Sequence, residues 1–88
     1  MKRKVEMAGL FVEGIDYDDE SIIFYCENVK KGQSIFKLYG KYELTGRVSD
    51  IIGSVISEVS QYVFDDFQYI RLVSEVGAIS IAGDFVIC

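Results

Sequence analysis

The chain has 88 residues, half of them apolar, with 14 Asp plus Glu against nine Lys plus Arg, six Phe, six Tyr, two Cys, and no His, Trp or Pro. The apolar fraction is enough to pack one small core despite a formal net charge of −5, which excludes a disordered chain and fits a single domain. Without His, the commonest acid-base and nucleophilic arrangements are excluded too.

The start, Lys2, Arg3 and Lys4, has the charge of an export signal, but the apolar stretch 7–12 is bracketed by Glu6 and Glu13 and is too short for one. No uncharged run approaches the roughly 20 residues of a membrane span. Two cysteines make no disulfide framework and match no zinc spacing, so a reducing, cytoplasmic setting and no membrane partner are expected.

Apolar residues fall at Val5 and Met7, then at Leu10 and Val12, so the alternation changes phase at Gly9 and predicts a first strand bulged there. The acidic stretch 14–21 reads as a loop. Residues 22–29 read as a central strand, apolar on both faces in its first half. After a turn at 30–33, Phe36, Leu38, Tyr42 and Leu44 alternate with Lys37, Tyr39, Lys41 and Glu43, the pattern of a half-buried strand.

The period then changes. Val48, Ile51, Ile52, Val55, Ile56, Val59, Tyr62 and Val63 recur at spacings of three and four, which predicts an amphipathic helix over 48–63. Thr45 or Ser49 would cap it, Asp50 would favour its first turn, and Asp65 and Asp66 would end it. Its Val, Ile, Ser and Gly residues are poor helix formers, so it would depend on packing against a sheet. Strands over 67–74 and 78–87, joined by a hairpin at 75–77, complete the chain.

The fold class expected is α+β: an antiparallel sheet in the order β-β-β-α-β-β with one amphipathic helix packed on it. A narrower solution is a five-stranded barrel, which resembles the oligonucleotide-binding fold in element order.

No residue is assigned a catalytic, cofactor-binding or metal role. Cys26 falls within a strand and reads as a small core residue, and Cys88 ends the sequence. Asp16, Asp18, Asp19 and Glu20 suggest a calcium loop, but Ser21 stands where such a loop needs Gly, so the segment reads as a solvated connection. Gly40, Gly46 and Gly53 do not have the spacing of a phosphate-binding loop.

Charge is uneven: residues 1–46 carry net −1 and residues 47–88 net −4. A pI near 4.5 argues against nucleic acid as a partner. Lys30, Lys31, Lys37 and Lys41 with Tyr39 nonetheless give an alternative reading, a single-stranded nucleic-acid binder stacking bases on the third strand. The leading expectation is a non-enzymatic module that occludes a basic surface on another protein, or pairs with a second copy. In size and charge it is similar to the inhibitors and immunity proteins of phages and mobile elements. Its expected contact residues are the small side chains on the outer helix face, Ser49, Gly53, Ser57 and Ser60, together with Asp65 and Asp66.

Overall fold

A computed structural model describes residues 4–28, 30 and 32–88. The basic start at Lys2 and Arg3, the strand end at Val29, and Lys31 of the basic patch lie outside the described residues. Six strands are present: β1 (Phe11–Tyr17), β2 (Ser21–Asn28), β3 (Gly32–Thr45), β4 (Ile56–Phe64), β5 (Phe67–Ser74) and β6 (Ala78–Ile87). They form one antiparallel sheet in the order β1-β2-β3-β6-β5-β4.

Each half of the chain is a three-stranded meander, and β3 joins them. Its first part pairs with β2, from Asn28↔Gly32 to Ser21↔Tyr39, and its second with β6, from Leu38↔Ile87 to Thr45↔Ser80. The change of partner occurs around Gly40, at a φ of 133°. A Cβ there would lie 2.5 Å from the Asp84 carbonyl oxygen, so the position requires Gly on both conformational and steric grounds.

The ends of the sheet order also meet. The Gly9 and Val12 amides donate to the Ile56 and Ser54 carbonyls at 2.7 and 3.0 Å, and the Ile56 and Gly53 amides donate to Leu10 and Val12 at 2.9 and 2.8 Å. The sheet therefore curls into a barrel joined along 9–12 and 53–56. Phe24, Leu38, Leu72 and Ile81 fill its interior, and Met7, Ile51 and Ile56 seal it, each at most 1% exposed.

Segment 48–63 corrects the expected fold class. It contains no α-helix: Val48–Asp50 is one turn of 3-10 helix, and the chain enters β4 at Ile56. With six strands and no α-helix among the described residues, neither the α+β sheet-plus-helix nor the five-stranded barrel describes the molecule.

The helical spacing was produced by irregular extended structure. Turns follow Val48 through Gly53, and an irregularity between Ile56 and Glu58 inserts a residue, so Ile56 and Val59 share the inner face at a spacing of three. Beyond it, half-buried Val59, Gln61 and Val63 alternate with exposed Ser60, Tyr62 and Phe64. Seven of the eight positions in that pattern are Val or Ile, whose branched side chains suit a pleated surface.

Two smaller corrections follow. Gly9 makes a turn at a φ of 85°, with the Leu10 amide donating to the Met7 carbonyl at 3.0 Å, while the irregularity in β1 lies between Val12 and Gly14. The stretch 14–21 is strand as far as Tyr17, leaving 18–20 as the turn.

Candidate protein-binding surface

Asp65 and Asp66 end no helix. They are the two central residues of the β4–β5 hairpin, with φ of 51° and 69°, between the paired residues Phe64 and Phe67. A two-residue hairpin with both central φ positive matches the twist of its strands, and Asp tolerates that region better than most residues.

The tight turn fixes the register, and the register gathers aromatic rings on the outer face. Phe64 pairs with Phe67 and Tyr62 with Tyr69, so all four rings project from one side of the hairpin. The two Tyr rings stack, with centroids 4.8 Å apart and planes 13° from parallel. Phe64 is 71% exposed, Tyr62 61% and Phe67 51%.

Beside the hairpin the outer face of β6 is low. Ala82 lies between Tyr69 of β5 and Glu43 of β3, and Ser80 between Arg71 and Thr45. The step from tall rings to small residues leaves a trough of about 760 Å³. Phe67 and Tyr69 line one side and Lys41 and Glu43 the other, with Asp84 on β6 and with Asp19 and Glu20 contributed by the β1–β2 turn. That turn is held by Asp18, whose carboxylate accepts from the Glu20 and Ser21 amides at 2.8 and 2.9 Å and from the Ser21 hydroxyl at 3.1 Å. The bond from the Glu20 amide, with that from the Ser21 hydroxyl next, holds the Asp18 carboxyl below its ordinary value. The Tyr42 hydroxyl donates to the Asp18 carbonyl at 2.6 Å, tying the turn to β3.

The expected contact residues do not form one face, because the helix that would align them is absent. Ser49 is in the 3-10 turn, and Gly53 is in the turn that follows. Ser57 sits at the β4 irregularity, where its hydroxyl donates to the Val73 carbonyl at 3.1 Å. Ser60 pairs with Arg71 on the outer face of β4, so it and the two tip aspartates belong to the aromatic hairpin. The four rings were missed. The available signal was Phe64-Asp65-Asp66-Phe67, two turn-tolerant residues between two strand formers.

Lys37, Tyr39 and Lys41 do share the outer face of β3. Lys41 lies opposite Asp84, and Tyr39 opposite Val86, which breaks the basic character of the strand. Cys26 is buried, and burial pushes its thiol up to about 11, while Cys88 is exposed. Among the described residues, no group of three or more Asp, Glu, Cys or His side chains could hold a metal ion, and no helix is long and apolar enough to cross a membrane. Compared with protein-family models, curated proteins and solved structures, the chain matches none.

Proposed function

We propose that the chain is a non-enzymatic protein-binding module whose contact surface is the outer face of the β4–β5 hairpin. The observation that carries this reading is the pair of Phe side chains at its tip, 71% and 51% exposed, continuous with the stacked tyrosines. Apolar area left in water forgoes about 25 cal/mol per Å², and aromatic side chains dominate the energetics of protein interfaces. A contiguous exposed aromatic patch therefore favours a partner that covers it.

Charge favours a basic partner. Residues 47–88 carry net −4, and two of those carboxylates lie between the exposed Phe rings. Such a field raises the encounter rate with a positive surface, and the rings then hold the complex. The mode of action proposed is steric occlusion of that surface, as in the small acidic inhibitors and immunity-type proteins that the chain is similar to in size and charge. The two free thiols favour a reducing, cytoplasmic setting.

Phe64→Ser with Phe67→Ser tests the reading. The double variant should melt within a few degrees of the parent yet lose the partners that the tagged parent captures from its native cell. An unchanged set of captured proteins would remove the hairpin from consideration. The second reading, nucleic-acid binding, is favoured by Lys37, Tyr39 and Lys41 sharing one outer face. It requires a salt-sensitive shift of a labelled single-stranded oligonucleotide that Tyr39→Ala abolishes, and an absent shift at low salt dismisses it.

A further inference from the structure

We infer that the trough beside the aromatic hairpin receives an arginine side chain presented by the partner. The inference rests on the protein-binding reading above and specifies what that partner must carry. Three features of the trough select the occupant: its floor, its walls and its charge.

The floor is low because Ala82, on the outer face between Glu43 and Tyr69, ends at Cβ, while the inward-facing Gly83 beside it lets β3 and β6 approach so closely that a Cβ there would meet the Lys41 carbonyl oxygen at 2.2 Å. The aromatic side is formed by Phe67 and Tyr69, and Tyr69 is itself held by stacking on Tyr62. The charge comes from four carboxylates, Asp19, Glu20, Glu43 and Asp84, against the single ammonium of Lys41. Lys41 makes no ion pair with any of them among the described residues, although Asp84 is its cross-strand neighbour.

Aromatic rings beside carboxylates attract cations, through the negative face of the ring and through direct pairing. A guanidinium suits both groups at once, because its plane stacks on a ring while its edge donates two parallel hydrogen bonds to a carboxylate. A lysine ammonium is a strongly hydrated point charge and gains less from the ring. A neutral apolar side chain would strip water from the carboxylates without pairing them. An acidic one would be repelled.

The test uses two peptides, acetyl-Gly-Arg-Gly-Arg-Gly-amide and its lysine counterpart, titrated into the full chain while backbone amide resonances are followed. The arginine peptide should move the resonances of Phe67, Tyr69, Ala82, Gly83 and Asp84, and should move them several-fold more than the lysine peptide. Ala82→Leu, which fills the floor, should abolish the response in a chain whose remaining spectrum is unchanged. Glu43→Gln with Asp84→Asn should weaken it about tenfold and provides a second variant should the first fail to fold. Equal shifts with both peptides, or shifts spread over distant carboxylates such as Glu58 and Glu75, would overturn the inference. Partner capture separates this proposal from the one beneath it. Should Ala82→Leu and Glu43→Gln with Asp84→Asn bind the partner as the parent does while the double Phe variant does not, the arginine site falls and the hairpin stands.

Discussion

Replacing Gly83 by Ala tests the seam between the two meanders, on which both the barrel and the trough depend. The added Cβ would fall 2.2 Å from the Lys41 carbonyl oxygen and 2.7 Å from the Tyr42 Cα. Carbon and carbonyl oxygen approach no closer than about 3.3 Å in ordinary sheets, so β3 and β6 would have to part by about 1 Å. Both obstructing atoms are main chain, within a ladder of eight residue pairs from Leu38↔Ile87 to Thr45↔Ser80, and no side-chain rotation relieves the clash. Overpacking costs about 1 to 3 kcal/mol, and a clash with backbone belongs at the upper end, about 3 kcal/mol. For a domain of this size, with a total stability of about 4 to 13 kcal/mol, that lowers Tm by about 12 to 24 °C. Thermal unfolding followed by circular dichroism would measure it. Gly14→Ala is the control, since a Cβ at Gly14 meets nothing within 4 Å and its φ is not positive, so its effect should stay below about 0.5 kcal/mol. A Gly83→Ala chain melting within about 3 °C of the parent would refute the close approach of β3 and β6.

Ile51→Ala should cost about 2 to 5 kcal/mol by chemical denaturation, because Ile51 is fully buried, whereas its 38% exposed neighbour Ile52 should tolerate the same change for under about 1 kcal/mol. In the folded chain a thiol reagent should modify Cys88 rapidly and Cys26 only on unfolding. Because burial raises the Cys26 thiol from 9.0 to about 11, its contribution to stability is fully present below pH 9 and is lost as pH rises toward 11, which Cys26→Ala should abolish in alkaline melts. Asp18 has the opposite sign. With its folded value lowered from 3.8, its stabilisation is present above that value and lost as pH falls through the folded one, so Asp18→Ala should flatten part of the acid limb in urea melts. Asp66→Gly should raise stability by about 0.5 to 1 kcal/mol by relieving a φ of 69° at the hairpin tip.

Strands with strict alternation were legible in the sequence. Phe36, Leu38, Tyr42 and Leu44 lie on the inward side of β3, and 67–74 and 78–87 coincide with β5 and β6. Periodicity misled where one extra residue entered a strand, because such an insertion turns a spacing of two into three. At Ile56 and Val59 that spacing imitates one turn of helix, and only the excess of branched side chains argued for extended backbone. The expected helix also hid the candidate surface. Ser60, Asp65 and Asp66 belong to the hairpin surface, but the sequence reading puts Tyr62 on a helix, Phe67 and Tyr69 on a strand and Phe64 on neither, so nothing in it brings the four rings together. The trough was not legible at all. It is assembled from β3, β5, β6 and a turn between β1 and β2, and needs a register that no local pattern specifies.

The long third strand has a further consequence. Because it serves one meander with its first half and the other with its second, each meander occupies one continuous half of the sequence, and the two meet along β3 with β6 and along 9–12 with 53–56. Two fragments severed between Gly46 and Arg47 would each hold three consecutive strands, and the edge of β3 would be free to recruit β6 from the other piece. Neither piece alone supplies both sides of the β3–β6 ladder or both sides of the seam along 9–12 and 53–56, so the barrel closes only when the two are together.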